Sequence, residues 1–546
     1  MKPHELAGKQ VPKSMLTDIS RLVSSYYTVD IKGPVSFGTS GHRGCSFIGT
    51  FNELHIAATA QAICEYRLTN RITGPLYLGF DTHALSEPAF RTSLKVFTAN
   101  DVDVIIHAGD DYTPTPVISF MILEFNKKRT KNFSDGVVIT PSHNPPGDGG
   151  IKYNPVTGGP ADETVTAWIQ KRANQLMDTK GDQILQVSYE KARKKAAINE
   201  QDFITPFVDA LSQVVDMEII QESGIRIGVD PMGGAGVHFW APIADRYHLN
   251  LDIVNTDVDQ TFGFMPADWD GKIRMDCSSP FAMEKLITLA DKFDIAWGND
   301  PDFDRHGIVT SKGLMNPNHY LSAAIWYLLQ NRSGWKKDLL VGKTLVSSSM
   351  IDKVSTGLNR KVFEVPVGFK WFVKGLLNGS LAFGGEESAG ASFLRRDQTV
   401  WTTDKDGFCM TLLAAEILAK TGKTPEQIYR NVLIPEYGDP CYQRIDSPID
   451  DHQKEVLNCL DPDSVKGSTI AGLSVSSVTA KARGNNAPIG GVKVTLDDGS
   501  WFAVRPSGTE PIMKFYIESF GGQELVSKIH HEAMDVLFKK RSGHGA

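Results

Sequence analysis

The sequence predicts an α/β protein of four domains: three similar units built on mixed or parallel sheets, then a smaller C-terminal α+β domain. Three observations carry this. The chain has 546 residues, and single hydrophobic cores stop growing near about 250–300 residues, so several domains are required. Short apolar runs of β type alternate with longer helical patterns through most of the chain, the signature of parallel strands covered by helices on both faces. Towards the C-terminus this alternation gives way to adjacent strands and one amphipathic helix.

In the first unit, residues 1–203, PLYLGFD (Pro75–Asp81) precedes SEPAFRTSLKVFTAN, a helix for which Ser86 is the expected N-cap. VDVIIHAG (Val102–Gly109) precedes the helical PTPVISFMILEF, and GVVIT (Gly136–Thr140) follows. Ser142 then falls just past the carboxyl end of a strand, where open α/β sheets bind ligands. In the second unit, residues 204–323, IRIGVD (Ile225–Asp230) runs through PMGGAG into a helix ending near Tyr247, and LNLDIVN and IAWGND continue the pattern. After NHYLSAAIWYLLQ the runs TLVSSS, KVFEVPV and LAFGGEES repeat it in a third unit, residues 324–433. In residues 434–546, SWFAVRPSGTEPIMKFYIES reads as two strands around a tight turn and GQELVSKIHHEAMDVLFKKR as an amphipathic helix.

A hydrophobic content of 41% and a charged content of 22% are those of an ordinary soluble globular protein, so disorder is not the default. The net charge of −7 argues against a polyanion-binding surface, so no nucleic-acid partner is expected and any phosphate binding must be local. Six cysteines are dispersed without a CxxC pair, which fits neither a zinc site nor a disulfide framework and points to reduced thiols in a cytoplasm. The first twenty residues hold no apolar core of signal-peptide length, and no run of about 18 apolar residues occurs, so neither export nor a membrane partner is expected.

Five stretches carry chemistry. In VVITPSHNPPGDGGIKYN (Val137–Asn154) an apolar run ends in Ser142 among prolines and glycines, with Lys152 ten residues on. In GNDPDFDRHG (Gly298–Gly307) Asp300, Asp302 and Asp304 alternate after an apolar run, so three carboxylates can meet one hard cation; a solvated acidic turn is the competing reading. An EF-hand is excluded, because Arg305 stands where its glycine belongs and Ser311 where its bidentate glutamate belongs. A cluster with a vacant position suits Mg²⁺ bound to a phosphate oxygen. In RPSGTEP (Arg505–Pro511) the Ser507 and Thr509 hydroxyls and the N–H groups around Gly508 can surround a tetrahedral anion beside Arg505, although an ordinary hairpin turn reads the same way. GGEESAG (Gly384–Gly390) offers Glu386 and Ser388 to vicinal hydroxyls; Glu386 and Glu387, adjacent on a strand, point to opposite faces and make no acid–base pair. FGTSGHRG (Phe37–Gly44) is a glycine-punctuated loop that can deliver Arg43 to a phosphate. Ser142 beside His143 suggests a hydrolase, but the G-x-S-x-G elbow is absent. VGKT (Val341–Thr344) and TGKT (Thr421–Thr424) lack the upstream glycine of a P-loop and are assigned structural roles.

Together TPSHNPP, DPDFDRH, GEES and RPSGTEP, in this order and one per domain, resemble the α-D-phosphohexomutase superfamily over essentially the whole chain. The resemblance implies four domains around a central cleft that closes by movement of the last. It implies reversible interconversion of α-D-glucose 1-phosphate and glucose 6-phosphate through a phosphoserine and glucose 1,6-bisphosphate. Ser142 would be the phosphorylated serine; Asp300, Asp302 and Asp304 would hold Mg²⁺, with the Ser142 phosphate completing the site. Arg43, Lys152 and Arg305 would neutralise the transferring phosphoryl group, with His143 beside the serine. Glu386 and Ser388 would bind the sugar, and Arg505, Ser507, Gly508 and Thr509 the distal phosphate. Lys370, in PVGFKW (Pro366–Trp371), matches a substrate-contacting loop, with Val367 where threonine is common.

Two departures stand out. Many relatives read G-x-D-T-R where this chain has GFDTH, so no role is carried onto His83. Members acting on mannose or glucosamine phosphates have glycine–histidine after the GExS serine; here Ala389 and Gly390 follow, and TTDKDG (Thr402–Gly407) carries the KDG lysine of members acting on glucose phosphates. Lys405 is therefore the candidate general base. The alternatives are a mannose or glucosamine phosphate mutase and, in another class, a Mg²⁺-dependent sugar-phosphate phosphatase. The sequence leaves homodimer or monomer open.

Overall fold

The computed structural model describes residues 3–38, 41–195, 198–458, 465–506 and 512–538. They fall into two compact units: one contains the chain up to Pro317, Phe372–Gly384 and Ser388–Pro425, the other Asn318–Trp371, Gly385–Glu387 and the chain from Glu426.

The first unit opens on a six-stranded sheet of β1 (His42–Cys45), β2 (Leu76–Phe80), β3 (Val104–His107), β4 (Asp135–Ile139), β5 (Asp148–Asn154) and β6 (Ile198–Gln201), in the order β1-β5-β4-β2-β3-β6. β4, β2, β3 and β6 are parallel, and β5 and β1 complete the edge antiparallel. β2, β3 and β4 are buried along their whole length, which is why they read as continuous apolar runs. From β2 the helix Ser86–Ala99 leads to β3 on one side, and the helix Thr115–Asn126 leads back past β2 to β4 on the other. The crossovers thus diverge between the carboxyl ends of β2 and β4, the switch point at which such sheets bind ligands. Asp81 and Ser142 follow those two ends.

β1 and β5 are not apparent in the sequence. HRGC and DGGIKYN carry too much glycine and charge to read as strands, yet glycine is required. A Cβ on Gly149 would overlap the Phe51 ring, and one on Gly150 the Thr140 carbonyl. The pairing places Arg43 opposite Gly150 and Lys152 opposite Val138, so strands hold both basic residues beside the Ser142 turn. Ser86 is also not the N-cap expected. Leu85 takes that position without a side-chain cap, while Ser86 Oγ donates to Asp81 at 2.5 Å.

The second sheet of this unit orders β7 (Ile227–Asp230), β8 (Leu251–Ile253), β9 (Ile295–Gly298), β10 (Gly307–Thr310) and β11 (Gly313–Leu314) as β11-β10-β9-β7-β8. β8, β7 and β9 are parallel, and the acidic stretch turns the chain from β9 into antiparallel β10. A buried aromatic cluster anchors that turn. Phe303, in a left-handed conformation (φ 59°), stacks on Phe408 with ring centroids 4.6 Å apart, and Phe408 packs on Trp240, Phe239 and Phe207. Such pairs contribute about 0.5–1.5 kcal/mol each beyond the area they bury.

The third α/β domain carries β12 (Leu340–Thr344), β13 (Val362–Val365), β14 (Leu381–Glu386) and β15 (Gly390–Phe393), with β12 and β13 parallel. β12 ends where TLVSSS begins, one step earlier than expected, and so contains VGKT. Its Lys343 is buried against Asp352 and Glu364, and TGKT ends the helix Gly407–Thr421 with Gly422 at φ 65°. Neither stretch is the loop from strand to helix that a P-loop requires: one lies in a strand and the other ends a helix.

The C-terminal domain is an antiparallel sheet of β16 (Cys441–Pro448), β17 (Thr469–Ile470), β18 (Leu473–Lys481), β19 (Pro488–Leu496), β20 (Trp501–Pro506) and β21 (Ile512–Ser519) in the order β16-β21-β20-β19-β18-β17. The helix Gly522–Phe538 buries Val526, Ile529, Ala533 and Leu537. The expected hairpin of β20 and β21 forms, and its turn lies outside the described residues. Cys45, Cys64, Cys277, Cys409 and Cys441 are free thiols; Cys459 lies outside the described residues. Among the described residues no helix is long and apolar enough to cross a membrane.

Candidate active site

Ser142 sits on the turn between β4 and β5 and is 1% exposed. Its φ of 61° is left-handed, a conformation that costs a non-glycine residue about 1–2 kcal/mol, so neighbouring groups must hold it. Thr140 Oγ1 accepts the Ser142 N–H at 2.8 Å and donates to Asp81 Oδ2 at 2.7 Å. The Ser142 hydroxyl donates to Asp300 Oδ2 at 2.9 Å and lies 3.4 Å from His143 Nδ1. Burial, and then the guanidinium of Arg305, push the His143 imidazole well below its ordinary range, leaving it neutral.

Asp300, Asp302 and Asp304 are buried, and one ligand oxygen from each lies within 4.8 Å of the others. Asp300 Oδ1 accepts the Arg305 N–H at 3.0 Å. Asp302 Oδ2 accepts from Thr115 Oγ1 at 2.7 Å and from Lys152 Nζ at 2.5 Å. Asp304 Oδ2 accepts from Lys152 Nζ at 3.2 Å and is ion-paired to Lys405 Nζ at 2.6 Å. The environment divides the carboxylates. Burial, and then the charges of Asp302 and Asp304, hold Asp300 well above the usual carboxylate range; Asp304 is held below it, because Lys405, Lys152 and Arg305 outweigh burial. Lys152 is likewise raised, since Asp302 and Asp304 outweigh its burial. The other oxygens, Asp302 Oδ1 and Asp304 Oδ1, are buried and have no hydrogen-bond partner among the described residues. Unsatisfied buried carboxylate oxygens are rare and call for an ion. Three converging carboxylates, two of which keep an unsatisfied buried oxygen, fit Mg²⁺.

Arg305 reaches Asp276 and Asp304 at 3.8 Å each, and Arg43 Nη1 donates to Asn144 Oδ1 at 3.2 Å. Lys405 precedes Asp406, whose carboxylate caps the helix Gly407–Thr421 by accepting the Cys409 N–H and also accepts from Trp401 Nε1 at 2.6 Å. Gly390 explains the Ala–Gly pair that follows GEES: a Cβ there would overlap Lys405 Cδ. Gly390→Ala should therefore push Lys405 off Asp304 and lower kcat about tenfold, an outcome scored by steady-state kinetics on a variant whose Tm is checked to be near wild type.

The structure thus gathers Ser142, His143, Arg43, Lys152, Asp300, Asp302, Asp304, Arg305 and Lys405 in the first unit. Ser388, half-buried in the turn after β14, belongs to the same unit. In the second unit Glu386 is buried and accepts the Gly368 N–H at 3.0 Å, while Glu387 accepts from Thr344 Oγ1 at 2.7 Å, so the two glutamates do point apart. Lys370 Nζ lies 5.3 Å from the Trp371 ring centroid. Arg505 pairs with Lys514 across β20 and β21; Ser507, Gly508 and Thr509 lie outside the described residues.

Sequence reasoning missed Thr115, Asp276 and the Asp81–Thr140 relay. Thr115 carried a weak signal as a hydroxyl opening a helix pattern. Asp276 carried none, because a lone loop carboxylate shows its role only once Arg305 is beside it.

Four family models match the chain in order. They are phosphoglucomutase/phosphomannomutase alpha/beta/alpha domains I (residues 34–180), II (205–313) and III (316–435), and the C-terminal domain (467–536). A curated phosphoglucomutase of Komagataeibacter xylinus is 54% identical over 537 residues, 97% of this chain and 96% of that one. The chain belongs to the phosphoglucomutase/phosphomannomutase family. Within that family, phosphoglucomutase 1 of Drosophila melanogaster is 25% identical over 541 residues, covering 90% of this chain and 91% of its own. Among solved structures, the open form of the Paramecium exocytosis-sensitive phosphoprotein pp63/parafusin, a phosphoglucomutase, superposes with a TM-score of 0.73 at 20% identity, covering 93% of this chain and 95% of that chain. At that identity the likeness concerns the fold alone.

Proposed function

We propose that this chain interconverts α-D-glucose 1-phosphate and glucose 6-phosphate through phospho-Ser142 and glucose 1,6-bisphosphate. The observation that carries the reading is the Ser142 hydroxyl, held on a left-handed turn and hydrogen-bonded to Asp300 of a buried carboxylate triad. Asp300, Asp302 and Asp304 would hold Mg²⁺, which when bound neutralises phosphoryl oxygens.

Phosphoryl transfer is chiefly positioning and charge neutralisation, because its loose transition state spreads charge over the equatorial oxygens. Lys152, Arg43 and Arg305 supply positive charge, and the fixed turn aims the serine oxygen. In the first transfer the bond from phosphorus to Ser142 Oγ breaks as one forms to O6 of glucose 1-phosphate. Lys405, as a neutral amine that has released its ammonium proton, takes the O6 proton, and the departing Ser142 oxygen takes up a proton to become the hydroxyl. The bisphosphate reorients, Ser142 gives up its hydroxyl proton as the 1-phosphoryl group passes to its oxygen, and the proton stored on Lys405 goes to O1, leaving glucose 6-phosphate. We assign Glu386, Ser388 and Lys370 to the sugar, and Arg505, Ser507, Gly508 and Thr509 to the distal phosphate. His143, neutral and beside the hydroxyl, orients it. The partners are small sugar phosphates, and the compartment is the cytoplasm.

The test is a coupled assay of glucose 6-phosphate formed from glucose 1-phosphate with Mg²⁺ and a trace of glucose 1,6-bisphosphate. Turnover without release of inorganic phosphate is expected. Phosphate release at the same rate would instead identify a phosphatase, and an enzyme active only on mannose or glucosamine phosphates would move the assignment within the family. Lys405→Met should lower kcat about 10²–10³-fold, the range of a lost general base. A variant within threefold of wild type removes Lys405 from that role.

A further inference from the structure

We propose that His83 is a positioning residue for phosphoryl transfer: its doubly protonated ring clamps Asp81 and the Asn144 carbonyl and so fixes both ends of the turn that presents Ser142. The inference rests on the mutase reading above and assigns a role to a side chain to which the sequence analysis gave none.

The ring is buried, and both nitrogens face oxygens. Nε2 lies 3.0 Å from the Asn144 carbonyl, which can only accept, so Nε2 carries a hydrogen. Nδ1 lies 2.8 Å from Asp81 Oδ2. Asp81 also accepts from Ser86 Oγ (2.5 Å), the His83 N–H (3.0 Å) and Thr140 Oγ1 (2.7 Å). A carboxylate ringed by donors is ionised, so Nδ1 carries a hydrogen too and the ring is an imidazolium. In keeping with this, Asp81 is held below its usual range and His83 above its own, their mutual attraction outweighing burial in both; Asp148 is the other carboxylate that favours the charged ring.

Each partner leads to Ser142 or its neighbours. The single Thr140 hydroxyl hydrogen goes to Asp81, so its oxygen is free to accept the Ser142 N–H and hold the left-handed backbone. On the far side, Asn144 accepts from Arg43 through Oδ1 (3.2 Å) and donates to Asp148 at 3.0 Å. Fixing the Asn144 carbonyl therefore also places a group that contacts Arg43. Phe262, its ring centroid 5.1 Å away, packs against the imidazole.

Because the clamp acts on the turn and touches none of the residues assigned to the sugar or the distal phosphate, it should govern kcat and spare KM. His83→Gln, Thr140→Val and the double variant are assayed at saturating glucose 1,6-bisphosphate with glucose 1-phosphate varied. Each single variant should lose about 10–100-fold in kcat with KM within about twofold. If His83 acts through Asp81 and Thr140, the double variant should fall no more than about threefold below the weaker single, since residues on one relay are not additive. Unchanged kcat in His83→Gln, a rise in KM matching the loss, or losses that multiply would overturn the clamp. Should His83→Gln not fold, His83→Arg is the variant to assay, because a guanidinium can donate to both oxygens and a cavity of about 130 Å³ borders His83. Recovery of at least a tenth of wild-type kcat supports the clamp, and a folded variant below a hundredth overturns it. A wild type that makes no glucose 6-phosphate defeats the mutase reading, whereas an active wild type with an unimpaired His83→Gln defeats this inference alone.

Discussion

Ser142→Ala should lose at least about 10⁴-fold in kcat while keeping the wild-type Tm within a few degrees. The two halves follow from the same contacts. The hydroxyl donates one hydrogen bond, to Asp300, and the turn itself is held by the backbone N–H to Thr140, which alanine retains. Alanine bears the left-handed φ at a cost similar to that of serine. The chemistry, by contrast, has no substitute. The nearest other nucleophile on the turn is the His143 ring, whose Nδ1 lies 3.4 Å from the Ser142 oxygen and so does not take its place. Intact-protein mass spectrometry after incubation with glucose 1,6-bisphosphate should show one added phosphoryl group on wild type and none on the variant. A variant turning over within tenfold of wild type would remove the phosphoserine from the reaction, and one that melts far below wild type would show the hydroxyl to be structural.

What made Ser142 legible is that its surroundings are local in the chain: a buried parallel strand reads as an apolar run, and the proline- and glycine-rich turn follows at once. The acidic triad is legible for the same reason, since three carboxylates on one turn need only five consecutive residues. The supporting groups come from far away. Lys152 stands on a strand that its glycines conceal, because those glycines serve the close approach of Phe51 and Thr140 and not the strand's own propensity. Asp276 and Thr115 reach the site from separate elements, and no spacing rule links them to Arg305 or Asp302.

The errors in the fold reading have physical causes too. Ser86 looked like a helix cap, but an ionised Asp81 nearby is a stronger acceptor for its hydroxyl than the helix N–H groups are partners. β12 was placed late because its Lys343 interrupts the apolar run; the lysine is buried against Asp352 and Glu364, a compensation invisible without the third dimension. In both cases a buried charge overrode a local preference.

The same balance of charges sets the second large effect. Asp302 and Asp304 pair with three cations, Lys152, Lys405 and Arg305, of which Lys152 touches both carboxylates. Lys152→Met keeps most of the side-chain volume and removes that charge. Breaking a buried pair leaves an uncompensated charge and costs about 3–5 kcal/mol, so the metal-free variant should melt well below wild type. In the phosphorylated enzyme the same ammonium would neutralise the transferring group, so kcat should fall about 10³-fold. Mg²⁺ separates the two effects. A divalent cation can replace the missing charge at Asp302 and Asp304, and in the variant it no longer competes with an ammonium for those oxygens. Added Mg²⁺ should therefore raise the Tm of Lys152→Met more than that of wild type, while kcat stays low because the charge next to the phosphoryl group is still missing. Thermal melts in chelator and in Mg²⁺, run beside the coupled assay, read both quantities. An equal Mg²⁺ shift in the two proteins would mean that Lys152 does not balance the triad, and recovery of kcat by Mg²⁺ would mean that its charge is not needed in the transfer.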